Sequence, residues 1–318
     1  AMPAAGEAGI DNATLLFNAA IYRACQEIAL KLGKGRSTIQ GGSLPGDFAF
    51  QCFLTSCLYV LEDAGLCEHK DGVWTVAQEF NLPSVSEILS ELYGERPDRA
   101  VEAVLINNAY AEALARIDAL HAGDEAASAS NFISDATIDH QAVHSEASRQ
   151  RMSFVLEALE TALSTQSAGA RLRIVELGSV SAGFTRRLAT LAEKHGASLT
   201  VFEARDNAQR GLELSFENDA HVHILKKGEL ATLAAFDLAV SASDGFYGLI
   251  EDDVTVRTAL RTALRPTGGI IAAVSAPSLF NDFALGLSEG WFARSQTAEF
   301  PIGNLAAAPH WQKCLDDL

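Results

Sequence analysis

The chain has 318 residues, of which 48% are apolar and 20% charged, and a net charge of −17 at neutral pH. That apolar content supports a packed core and argues against wholesale disorder, while a polyanion has no long-range attraction for nucleic acid or an anionic membrane face. No apolar run approaches the roughly 20 residues that a membrane span needs, and Ala1-Met2-Pro3-Ala4 does not open a signal peptide, so a cytoplasmic protein is expected.

The first 120 or so residues read as helical. Leu15, Leu16, Ala19, Ala20 and Ala24 recur at helical spacing. Gly33 to Gly46 reads as a Gly/Ser/Pro loop. Phe50, Phe53, Leu54, Cys57, Leu58 and Leu61 then form an apolar face that stops at Gly65. Leu66 to Val76, with Gly72 between two extended runs, predicts a hairpin, and helix followed by hairpin suggests a winged-helix-like unit. Pro83 with Ser86 and Glu87 opens a further helix, and 98–120 is helical again. Gly123 to Ser130 is small and polar and is the best linker candidate. Met152, Val155, Leu156, Leu159 and Leu163 lie on one face of a helix over 146–163.

The character changes near residue 165. Short apolar runs at 173–177, 198–203, 222–225, 236–241 and 270–274 predict five strands, with helices at 185–195 and 254–264 between them. Pro266 and Gly268-Gly269 close the second of these helices. This alternation implies a parallel sheet covered by helices. The expected division is a mostly helical lid over 1–165 and a Rossmann-like α/β core over 166–318.

The five cysteines, Cys25, Cys52, Cys57, Cys67 and Cys314, are odd in number and irregular in spacing, which suits reduced and mostly buried thiols. His140 and His144 sit four residues apart with no acidic or thiol ligand at matching spacing, so no metal site is expected.

In a parallel sheet the ligand site lies beyond the carboxyl ends of the strands. The first strand runs into Glu176-Leu177-Gly178-Ser179-Val180-Ser181-Ala182-Gly183, which resembles the E-x-G-x-G-x-G motif of class I S-adenosylmethionine-dependent methyltransferases. Leu264-Arg265-Pro266-Thr267-Gly268-Gly269 resembles the family's turn before the fifth strand. Leu287-Ser288-Glu289-Gly290-Trp291-Phe292, with Trp311 and Leu315, resembles a pattern of C-methyltransferase domains in modular polyketide synthases. Leu58 to Leu66, Gly72-Val73-Trp74 and Pro83 to Leu89 resemble that family's lid.

The resemblance covers nearly the whole chain. It implies a cofactor site at Glu176, Gly178, Gly183 and Glu203, the last holding ribose hydroxyls, and a substrate cavity bordered by Glu289 and Trp291. It also implies a β-ketoacyl substrate on an acyl carrier protein, with neighbouring synthase domains as partners.

Several family residues are replaced. Val180 and Ala182 stand for motif glycines, and a β-branched Val180 keeps the backbone from the close approach that glycine allows. Near the third strand, Lys226-Lys227-Gly228 stands where the family has an acid, with Glu229 as the alternative alignment. The lysines would repel a sulfonium cation. The family's base is a His after the fourth strand, oriented by a Glu after the fifth. Phe246 stands for the His and cannot accept a proton, and Val274-Ser275-Ala276-Pro277 has no Glu to orient an imidazole.

The leading expectation is a non-catalytic pseudo-methyltransferase domain with a structural role and no cofactor. The pocket should be narrowed by Val180 and by Lys226 or Lys227, with Phe246 and Trp291 facing the cavity. The alternative is an active, S-adenosylmethionine-dependent C-methyltransferase with a substitute base, Tyr247 or Asp244, or His310 in the tail. A third reading is another reaction on the same tethered substrate.

Overall fold

The computed structural model describes residues 12–78, 82–124, 135–165, 171–226, 229, 233–244, 246, 254–288, 290–294 and 303–316. Most of the linker candidate at 123–130 lies outside them, as do Tyr247, Glu289 and Lys227.

The chain divides into two units. One comprises Ala1–Ala136 with Pro277–Ala307; the other comprises Thr137–Ala276 with Ala308–Leu318. These boundaries differ from a single break at 165. The helix Glu146–Ser164 groups with the sheet because Met152, Val155, Leu159 and Leu163 share a cluster with Ile174, Leu188 and Val240.

The first unit is built on long helices at Asn12–Leu32, Phe48–Asp63, Val85–Glu95 and Ala100–His121. Their starts follow local chemistry. Asp47 accepts the Phe50 N–H at 2.8 Å. Ser84 and Glu87 form a reciprocal capping box, which satisfies N–H groups that the first helical turn leaves unpaired. The apolar face read from Phe50 to Leu61 is buried as expected, with Phe50 and Leu61 fully inaccessible.

The expected hairpin forms from β2 (Cys67–Lys70) and β3 (Val73–Val76). A third strand, β1 (Thr38–Gln40), pairs with β3 inside the stretch read as a loop. Three residues are too few for alternation to show, and the pairing of Ile39 opposite the buried Trp74 makes this segment a strand. The short helix Leu279–Ala284 adds Phe283 and its neighbours to the same core.

The second unit carries five parallel strands: β4 (Arg173–Leu177), β5 (Ser198–Phe202), β6 (Val222–Leu225), β7 (Phe236–Ser241) and β8 (Leu264–Ala272). Their order is β6-β5-β4-β7-β8. The helix Ala182–Lys194 begins three residues earlier than expected, because the Ser181 hydroxyl accepts the Phe184 N–H at 3.2 Å.

The fifth strand also differs from expectation. The Pro266-Thr267-Gly268-Gly269 run, read as the turn before it, lies within β8, whose register against β7 shifts between Phe236 and Leu238. Asp237 anchors that irregularity: it accepts Arg265 Nη1 at 2.7 Å and the Arg173 N–H at 2.8 Å. All five cysteines are free thiols, and all but the half-buried Cys52 are buried.

Candidate functional site

The strand order reverses beside β4: the chain goes outward to β5 and β6, then returns to β7 and β8. A crevice at the carboxyl ends of such strands is where ligands bind in open parallel sheets.

The first loop leaves β4 through Gly178, at φ +68°, a left-handed conformation that favours glycine. Its N–H donates to the Phe202 carbonyl at 2.9 Å, tying the loop to the end of β5. Val180 is half-buried and packs against the apolar cluster of this unit. Ala182 is the first residue of the following helix. A Cβ at Gly183 would meet only the Ser181 hydroxyl, at an ordinary 3.8 Å, so close packing does not require glycine there.

Glu176 is fully buried at the floor of this loop. The Thr185 hydroxyl donates to its Oε2 at 2.8 Å, and the Ser179 hydroxyl lies 2.9 Å from that of Thr185. Oε1 has no hydrogen bond among the described residues. Burial pushes the carboxyl up to about 7 against the pull of these hydroxyls, and the charge of Glu203 adds to the rise.

Glu203 follows β5 directly and is 2% exposed. Both of its oxygens are engaged by one neighbour. Oε1 accepts the Arg205 N–H at 2.9 Å and Arg205 Nε at 3.1 Å, and Oε2 accepts Arg205 Nη2 at 3.2 Å. The same Nη2 donates to the Ser179 carbonyl at 3.1 Å.

Lys226 does not narrow the crevice as expected. Its side chain is exposed, and its ammonium lies 4.0 Å from Glu213. A solvated ammonium is held outward more cheaply than a buried one. The alternative acid, Glu229, accepts the Lys226 N–H at 3.3 Å.

At the ends of β7 and β8 the Ser241 hydroxyl is buried and donates to the Leu177 carbonyl at 2.7 Å. Asp244 Oδ1 accepts the Ser275 N–H at 2.8 Å, and Oδ2 accepts the Ser275 hydroxyl at 3.1 Å. Arg151, from the helix Glu146–Ser164, reaches the same place. Its Nη2 lies 3.0 Å from Asp244 Oδ2 and donates to the Ser148 hydroxyl at 2.8 Å, and its Nη1 donates to the Ser275 hydroxyl.

Phe246 does not face an open cavity. It is fully buried and stacks on Trp311, ring centres 5.7 Å apart. His310, next to Trp311, has Nε2 at 3.4 Å from the Cys314 sulfur. Trp291 belongs to the first unit, where its indole N–H donates to buried Asp282 at 3.0 Å. Burial raises the Asp282 carboxyl to about 6, and the Trp291 hydrogen bond opposes that rise.

Sequence reasoning missed Arg151, Arg205 and Asp282. The one local signal was a cation two residues beyond the acid that ends the second strand.

A five-stranded parallel sheet in this order, with a glycine turn after its first strand and an acid after its second, defines a class I methyltransferase fold. The mostly helical N-terminal part fits the same architecture. Three solved structures share the fold over nearly the whole chain. The carbon methyltransferase CurJ is 13% identical at a TM-score of 0.72, covering 97% of this chain and 86% of its own. The CMeT domain of the citrinin polyketide synthase is 16% identical at 0.70, covering 95% and 82%. The carbon methyltransferase DszA is 15% identical at 0.68, with the same coverage. No protein-family model and no curated protein matches the sequence.

Among the described residues no helix is long and apolar enough to cross a membrane, and no cluster of His, Cys, Asp or Glu is placed to hold a metal ion.

Proposed function

We propose that this chain is a pseudo-methyltransferase domain of a modular polyketide synthase: a folded, non-catalytic unit kept for its structural role in a multienzyme. The observation that carries this reading is the Arg151–Asp244–Ser275 network at the ends of β7 and β8. Proton abstraction requires a free acceptor within reach of the substrate proton. Asp244, one of the fallback bases, has both carboxylate oxygens engaged by Ser275 and a guanidinium. The Arg151 guanidinium, 3.0 Å from Oδ2, holds the carboxylate in this network. Phe246, where the family base would stand, is packed on Trp311 and has no acceptor atom.

S-adenosylmethionine, which the fold implies, does not fit these residues as they stand. The acid that would take ribose hydroxyls is clamped by Arg205, and Arg205 also holds the loop that would border the cofactor.

Retention of such a domain has a physical basis. Site residues can change at little cost to stability, whereas removing a folded unit exposes whatever apolar surface packed on it. Neighbouring synthase domains and an acyl carrier protein remain the proposed partners, with no nucleic acid or membrane.

The test is an incubation of the chain with a β-ketoacyl carrier protein and S-adenosylmethionine, read by intact mass. No methyl gain above the enzyme-free control is expected. One added methyl per acyl chain would establish the C-methyltransferase reading instead, with Tyr247→Phe as the first variant to examine.

A further inference from the structure

We propose that Arg205 is a built-in latch that closes the ribose side of the crevice by occupying the carboxylate a nucleoside would need. This deepens the pseudoenzyme reading and rests on it. That reading says that the chemistry is absent; the latch says which residue keeps the nucleoside out.

The geometry is specific. In nucleotide-binding sheets of this type, an acid at the end of the second strand accepts the ribose hydroxyls. Here that acid is Glu203, and its two oxygens receive three hydrogen bonds from Arg205: one from the main chain and two from the guanidinium. The remaining reach of Nη2 goes to Ser179 O at 3.1 Å, in the loop after β4. One side chain therefore spans the two segments between which a ligand would enter. Gly178 N–H to Phe202 O at 2.9 Å ties the same segments through the main chain.

The exchange that a nucleoside would have to make is unfavourable. A nucleoside would have to break an ion pair in which both partners are charged; its hydroxyls would make charge-assisted bonds to the same carboxylate, but they would leave the guanidinium without its counter-charge. Glu203 is nearly inaccessible while the Arg205 side chain is half exposed. The latch thus lies on the solvent side of its acid, where a ligand approaching from water meets it first. Val180 offers no comparable block, because its side chain packs into the apolar cluster.

The experiment is calorimetric titration of the full chain with S-adenosylhomocysteine and, separately, with adenosine and 2′,3′-dideoxyadenosine. Wild type, Arg205→Ala and Val180→Gly are compared after circular dichroism shows that each is folded. The expected result is that Arg205→Ala binds S-adenosylhomocysteine at least about tenfold more tightly than wild type. It should also prefer adenosine to the dideoxy analogue, since the freed Glu203 needs hydroxyl donors, and Val180→Gly alone should gain nothing. Equal affinities for wild type and Arg205→Ala, including no binding by either, would overturn the latch. So would a gain without preference for the diol. If the alanine variant fails to fold, Arg205→Gln, which removes the charge but keeps a donor for Ser179 O, is read by the same criteria. Methyl transfer by wild type refutes the pseudoenzyme reading; unchanged affinity in Arg205→Ala refutes the latch and leaves that reading intact.

Discussion

Asp244 is joined to Ser275 twice, through the serine N–H at 2.8 Å and its hydroxyl at 3.1 Å, so one carboxylate sews the end of β7 to the end of β8. Arg151 closes the set from a helix far away in sequence. At the end of the sheet where catalytic groups gather in parallel folds, Asp244, Ser275 and Arg151 form one hydrogen-bonded set.

Replacing Asp244 by alanine should therefore cost stability. Two hydrogen bonds and an ion pair are lost, discounted because the Asp244 side chain is 41% exposed and partly screened. The expected loss is about 1–2 kcal/mol, measured by urea unfolding followed by circular dichroism. Asp244→Asn should lose less, because its amide oxygen can still accept from Ser275. An alanine variant as stable as wild type would show that the clasp carries no energy.

Placing a histidine at Phe246 should not give methyl transfer. The ring is fully buried on Trp311, so Phe246→His places an imidazole where its nitrogens lose water. A loss of about 2–4 kcal/mol is expected from poorer packing and polar burial. The intact-mass assay should show no methyl gain, since Asp244 is held by Ser275 and Arg151 and the segment directly after β8, Ala273 to Pro277, carries no carboxylate of its own to orient the ring. Methyl transfer by this single variant would show that the remaining site is competent.

Glu176 predicts a pH dependence. Its carboxyl is raised to about 7 when folded and lies near 4.3 when unfolded. Between these values the folded state keeps a proton that the unfolded chain has released. The contribution is thus full below the unfolded value, falls as pH rises through the folded one, and levels off above about 7. The slope approaches about 1.4 kcal/mol per pH unit within the window. Glu176→Gln, which can still accept the Thr185 hydroxyl, should flatten this part of the stability profile. A variant profile parallel to wild type between pH 5 and 7 would show that Glu176 does not titrate there.

In the first unit, Asp282 and Trp291 make a second reporter. The buried acid is raised to about 6 and receives the indole N–H. Ionising it strengthens that hydrogen bond, so tryptophan emission should titrate with a midpoint near pH 6. Asp282→Asn should abolish the titration. Gly303→Ala should disturb the same pair, because a Cβ there would overlap Asp282 Oδ1 and the indole nitrogen. The expected cost is about 1–3 kcal/mol, and an unchanged emission spectrum would contradict the packing.

The legible part of the fold was the part written in contiguous runs. A strand of a parallel sheet is largely covered, so it appears as a short, mostly apolar segment, broken here only by single polar residues such as Glu176, His223 and Asp237. The bounds of β4, β6 and β7 were readable on that ground. The three-residue β1 was not, because its identity comes from its partner, nor was the shifted start of β8, where Asp237 and Arg265 hold an irregular register. Of the site, the replacements at Val180, Ala182 and Phe246 were visible by position. What those positions touch was not: Val180 packs into the apolar cluster, and Lys226 turns outward to Glu213.

The amino-acid sequence by itself determined the strand–helix alternation, the glycine turn at Gly178, the acid at Glu203 and the phenylalanine, Phe246, after the fourth strand. These follow from local periodicity and from residue chemistry at one position. Only the tertiary structure decided that Arg205 reaches the Ser179 carbonyl across 26 positions of chain and that Arg151 meets Ser275 across 124. Such contacts depend on which loops the order β6-β5-β4-β7-β8 brings to the same end of the sheet and on how helices cover them. No window of neighbouring residues contains that information, because the energy of a long-range pair is set by burial and direction rather than by spacing along the chain.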